Sequence, residues 1–70
     1  MTKLYLAGGN EVVDMPPATT GKYAAMRVAE HLGYDPEEHA FELRLWPNGP
    51  VIHEDEIVEG YDQQRVVLVA

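Results

Sequence analysis

The chain contains no cysteine and no serine. The first absence excludes disulfides, thiolate metal sites, iron–sulfur clusters and cysteine nucleophiles. The second removes another common nucleophile. No apolar run approaches the roughly 20 residues of a membrane helix, and Met1 to Gly9 lacks the apolar length of a signal peptide. A small domain without disulfides suits a reducing compartment, so a cytoplasmic location is expected. Positive charge is scarce as well: 5 Lys and Arg stand against 12 Asp and Glu, leaving a net charge of −7. Phosphate neutralisation needs a basic stripe that is missing here, so direct nucleic-acid binding is not expected, nor is a membrane. Acidity of this size keeps a small domain soluble. Its sharper meaning is a basic partner, or mimicry of nucleic acid against a protein that binds it.

Seventy residues bound the answer further. They allow one domain, residues 1–70, which buries only about 60% of the surface its unfolded chain exposes. A deep, water-excluded cleft does not fit such a core, so ligands meet a surface or a shallow groove. Thr, Asp and His are present, but nothing in their spacing arranges them for catalysis. His31, His39 and His53, with Glu54, Asp55 and Glu56 beside the last, lack the spacing of a metal site. No enzyme activity, cofactor or metal is expected, and the acidic cluster reads as the start of a short helix, where carboxylates favour the positive dipole end.

What is present is a clear succession of elements. Thr2 to Ala7 alternates, with Leu4 and Leu6 on one face and Lys3 and Tyr5 on the other, as a half-buried strand does. Gly8-Gly9-Asn10 supplies a tight turn, and Glu11 to Met15 returns with Val13 and Met15 on one side. Pro16-Pro17 ends that strand, because proline donates no ladder bond. Thr19 or Thr20 caps a helix of about three turns that ends at Gly33, with Pro36 beyond it. At 100° per residue, Ala24, Ala25, Val28, Ala29 and Leu32 share its apolar face, while Tyr23, Arg27, Glu30 and His31 fall opposite, with Lys22 and Met26 at the margin.

Ala40 to Trp46 is the cleanest alternation. Phe41, Leu43 and Leu45 point one way, and Glu42, Arg44 and Trp46 the other. Pro47-Asn48-Gly49-Pro50 is a dense turn signal. Val51-Ile52 suits a very short strand, and a turn of helix is expected around Asp55 to Val58. Arg65 to Ala70 is apolar on both faces, which places it centrally in a sheet, covered on both sides and parallel to the first strand. The expected core is Leu4, Leu6, Val13, Val28, Leu32, Phe41, Leu43, Leu45 and Val67.

Strand, strand, helix, strand, short strand and final strand resembles the ubiquitin-like β-grasp domains. From Thr19 to Ala70 the likeness extends to a Thr-initiated helix with Ala25, Val28 and Leu32. Then come Gly33, Pro36-Glu37-Glu38, the strand and turn from Phe41 to Gly49, and Tyr61 in the last loop. The resemblance implies an α+β fold: a mixed sheet of four or five strands with one helix packed across it. Conjugating members and sulfur carriers end in a flexible Gly-Gly tail, whereas this sequence reads Val69-Ala70, and its only Gly-Gly lies in the first turn. Ferredoxins of the same fold need four cysteines. The resemblance therefore implies a non-conjugating, monomeric or weakly oligomeric module that docks onto a protein partner through the outer face of its sheet.

On that face the candidate residues are Glu42, Arg44 and Trp46, since exposed Trp and Arg are enriched at interface hot spots. The competing role for Trp46 is to fold over the Pro47 turn and plug the core. Tyr23 and Met26, off the apolar face of the helix, are further candidates for partner contact, against a simpler role draped over neighbouring loops. Two other functions compete with docking: an acidic inhibitor or nucleic-acid mimic, and an accessory subunit of a multicomponent enzyme.

Overall fold

The computed structural model of the chain describes residues 2–69. Its elements run β1 (Thr2–Leu6), β2 (Val12–Met15), α1 (Gly21–His31), β3 (Glu42–Leu45), a 3-10 turn (Val58–Tyr61) and β4 (Arg65–Val69). The four strands form one mixed sheet in the order β2-β1-β4-β3, and α1 packs against one of its faces, an α+β arrangement.

β1 and β2 are antiparallel, setting Leu4 opposite Val13 and Thr2 opposite Met15. β4 lies between β1 and β3, parallel to the former with Leu6 beside Val66, and antiparallel to the latter with Leu43 opposite Leu68. The last strand is thus central and parallel to the first, as its apolar run required. Ala70, expected at its end, lies outside the described residues.

Local chemistry sets the ends of α1. Thr20 is the N-cap, in extended backbone, and its Oγ1 accepts the Tyr23 N–H. The Gly21 and Lys22 N–H groups donate to the carbonyls of Glu56 and Glu54 at 2.8 and 3.1 Å. The loop before the 3-10 turn therefore satisfies donors that a helix start leaves orphaned. That approach is close enough to demand glycine: a Cβ on Gly21 would lie 2.2 Å from the His53 carbonyl oxygen. At the other end, Gly33 takes a φ of +86° and donates to Glu30, while Tyr34 donates back to Ala29. The two bonds make a Schellman cap.

The core gathers Leu4, Leu6, Val13, Met15, Ala24, Ala25, Val28, Leu43, Ile52, Val58 and Val66, with Phe41, Leu45, Tyr61 and Leu68 partly buried against it. Three alanines on the buried side of α1, at 24, 25 and 29, let the helix sit close to the sheet.

Several expectations need correction. Val66 faces the core in place of Val67, because pairing sets Leu45 opposite Val66 and Val67 opposite Arg44. β4 is apolar at both parities, so alternation along it could not choose the inner set. Its outward residues Val67 and Val69 are half-buried, since no helix among the described residues covers that face as α1 covers the other. Leu32 is 47% exposed: it is the C-cap, where the helix ends. The helical turn falls at Val58–Tyr61, with Glu54 to Glu56 in the loop that caps α1. Val51 makes an isolated bridge to Arg44, leaving the sheet at four strands.

Candidate interaction surface

The face of the sheet turned away from α1 is built by one of the two alternating sets in each strand. β1 contributes Lys3 and Tyr5, β2 Val12 and Asp14, β3 Glu42 and Arg44, and β4 Arg65, Val67 and Val69. Register places Lys3 opposite Asp14, Tyr5 between Val12 and Arg65, Arg44 opposite Val67, and Glu42 opposite Val69. Val67 and Val69 follow one another along the outer side of β4. Tyr5, paired with Arg65, lies diagonal to Val67, so the three make a short apolar strip with charged side chains around it. Opposed side chains on one sheet face touch, so each outward row forms a continuous surface.

Arg65 holds this surface together. Its Nη1 donates to the carbonyls of Leu6 and Gly9 at 2.8 and 2.5 Å, and its guanidinium lies 6.0 Å from the centre of the Tyr5 ring. It ties the β1–β2 turn to the central strand, a structural duty. Arg44 and Glu42 are exposed and make no ion pair among the described residues. Trp46 is the first residue beyond β3. Its N–H donates to the Arg65 carbonyl at 2.9 Å, which keeps its backbone beside β4, and the residue is 52% exposed.

Charge is segregated. The outer sheet face carries Lys3, Arg44 and Arg65, three of the chain's 5 Lys and Arg, but only Asp14 and Glu42 of its 12 carboxylates. The other ten carboxylates are exposed elsewhere, mostly on loops. A protein of net charge −7 thus presents one face with a slight positive balance.

The five candidate residues divide between two surfaces. Glu42, Arg44 and Trp46 belong to β3 and its end. Tyr23, 60% exposed, and half-buried Met26 line a shallow depression between α1 and the β2–α1 loop, with Pro16, Pro17 and Arg27. The structure does not bring the two sets together.

The histidines are separated as well. His31 Nε2 meets a Glu11 carboxylate oxygen at 2.7 Å, His53 accepts the Asp55 N–H, and His39 stands edge-on to Phe41. The acidic loop residues serve backbone and hydroxyl donors: Glu59 accepts from Ala18 N–H, Asp62 from Lys3 N–H, and Glu56 from the Tyr61 hydroxyl. That last bond to a carboxylate, with some desolvation, holds the Tyr61 pKa above its ordinary 10.0.

One feature escaped the sequence entirely. Beside the C-terminal end of α1 lies a groove of about 380 Å³, whose walls include Leu6, Leu32, Tyr34, His39, Phe41 and Leu68. Each is separately legible as apolar or aromatic, but their convergence follows from where the helix stops. No helix among the described residues is long and apolar enough to cross a membrane. The sequence matches no protein-family model and no curated protein.

Proposed function

We propose that this chain is a ubiquitin-like β-grasp domain acting as a protein-binding module, which docks through the outer face of its sheet without covalent transfer. The sheet order β2-β1-β4-β3, with its first and last strands parallel at the centre and one helix after the first hairpin, supports that fold. One observation carries the function: three of the 5 Lys and Arg of an acidic chain share a sheet face with the apolar strip, next to the exposed Trp46. Apolar area ringed by charge, with Trp and Arg at its edge, is the composition of an interface centre. Arg44 and Trp46 are its anchors, and Glu42 sets polarity at the rim. A partner with an apolar centre and acidic flanks complements it, and a cysteine-free chain suits a cytoplasmic setting.

The test is retention of proteins from the source cell by the immobilised domain, its Arg44→Ala form and its Trp46→Ala form. A partner held by the parent and lost by both variants supports the reading. A partner held equally by all three moves the interface elsewhere.

The ten exposed carboxylates beyond the sheet face support a second reading, an acidic inhibitor or nucleic-acid mimic aimed at a basic protein. Salt separates the two. A mimic releases its partner steeply as ionic strength rises, while docking centred on Trp46 weakens little.

A further inference from the structure

We propose that the turn after β3 is a site of spontaneous covalent modification, at which the Gly49 backbone nitrogen attacks the Asn48 side chain and converts it to aspartate and isoaspartate. The chain has two asparagines, Asn10 and Asn48, and both are exposed. Only the second is followed by glycine. A residue after asparagine screens its own nitrogen with its side chain, as Glu11 does after Asn10, whereas Gly49 has no Cβ to do so. Glycine at that place is fixed by packing: a Cβ on Gly49 would lie 2.6 Å from Leu45 Cβ and 3.1 Å from the Leu45 carbonyl oxygen. The tight turn therefore keeps an unscreened nitrogen directly after an exposed asparagine, a thermolabile residue.

The conversion consumes only water. The Gly49 amide gives its proton to solvent base, and its nitrogen bonds to Asn48 Cγ. The Cγ–Nδ2 bond breaks, and ammonia leaves with a proton from solvent, closing a cyclic imide. Water then opens the ring: cleavage at Cγ leaves aspartate, and cleavage at the main-chain carbonyl leaves isoaspartate, whose backbone runs through Cβ and Cγ. Either product adds a negative charge to a chain of net −7. The native turn restrains the first step. Gly49 N–H donates to the Leu45 carbonyl at 2.9 Å, so the nucleophile is engaged until that bond opens. The turn that holds it is a surface feature: Trp46, Pro47, Asn48 and Pro50 are exposed, and β3 lies at the sheet edge. The chain returns along β3 with Leu45 N–H on the Pro50 carbonyl at 3.1 Å and Ile52 N–H on the Leu43 carbonyl at 2.8 Å. An exposed edge turn of this kind opens locally, without global unfolding. The site does not depend on sheet-face docking, although Asn48 follows Trp46 by two residues.

The experiment incubates the full chain, folded in buffer and unfolded in urea, at one temperature and in mildly acidic and mildly alkaline solution. Peptide mapping by mass spectrometry follows the exchange of a side-chain amino group for oxygen at positions 10 and 48. A protease that cuts before aspartate but not before isoaspartate separates the two products. In the folded chain Asn48 is expected to convert faster than Asn10, and faster in alkali, where the Gly49 nitrogen loses its proton more readily. The folded rate should fall about threefold to tenfold below the rate in urea, the cost of opening one ordinary hydrogen bond. Asn48→Gln should abolish conversion at that position and leave thermal unfolding unchanged, as at surface positions generally. Equal rates at Asn10 and Asn48, or no product at Asn48 in the folded chain after the urea sample has converted, would each overturn the proposal. So would a folded rate equal to that in urea, since the Leu45–Gly49 bond would then restrain nothing. A rate that follows the globally unfolded fraction as urea is added would place the reaction in the unfolded chain and overturn it too.

Discussion

The two faces of β3 show the division of labour in this domain. Leu43 is 1% exposed beneath α1, while Glu42 and Arg44, its neighbours in sequence, stand exposed on the other side. One face meets a helix whose alanines permit close approach, so its side chains are committed to holding the fold. The other meets solvent, so its side chains are free to specify a partner at little cost in stability. Substitutions along one four-residue strand should therefore separate into two kinds, and the predictions below are attempts to mix them.

The largest effect belongs to the covered face. Leu43→Ala should lower the unfolding free energy by about 2–5 kcal/mol, comparable with the whole stability of a domain this small. Cooperative thermal unfolding near the parent temperature would show that the inner face is not the structural one.

A second effect tests the other contact that α1 depends on. Gly21→Ala gains at most about 1 kcal/mol of intrinsic helix propensity, the value for a helix interior, and less at this first helical position. It also drives a methyl into the His53 carbonyl, a backbone atom that cannot rotate away. Steric cost should win, for a net loss of about 1–3 kcal/mol in chemical denaturation. Faster exchange of the Gly21 and Lys22 amides should accompany it, since the same displacement breaks their bonds to Glu56 and Glu54. A more stable variant would mean the capping loop yields freely.

On the open face the outcome reverses. Trp46→Ala should change unfolding by less than about 0.5 kcal/mol, as for surface positions generally. It should weaken partner binding by about 1–3 kcal/mol, with Arg44→Ala behaving alike to a smaller degree. Calorimetry of unfolding paired with partner affinity measures both halves. A large stability loss for Trp46→Ala would make the indole part of the core and erase the distinction between the faces.

The smallest effect concerns Tyr61. Its folded pKa is raised, so the stability its hydroxyl contributes is fully present below the ordinary value of 10.0 and is lost as pH rises through the higher folded value. The stability gap between the parent and Tyr61→Phe should hold constant through neutral pH and close in strong alkali. Ultraviolet titration of the phenols, with unfolding measured at each pH, checks it. A gap that closes below neutral pH would place the linkage on another group.

Much of this was legible in the residues themselves. Period-two alternation in Thr2 to Leu6 and in Phe41 to Leu45 fixed which side chains face together, because strand geometry leaves no other choice. Thr20, Gly33 and the alanine stripe defined the helix, since caps and periodicity are local properties. The two-sided apolar run at Val66 to Val69 set β4 at the centre of the sheet. Only tertiary structure could decide the rest. Whether Val66 or Val67 faces inward is a matter of register against β3, and an apolar strand carries no local signal for it. Leu32 obeys the helical period and is still half exposed, because it sits at the helix end beside an open groove, where packing is incomplete. The groove and the basic balance of the outer face both arise from residues far apart in the chain. Their chemistry is written one residue at a time, but a surface exists only after the fold has chosen which of them are neighbours.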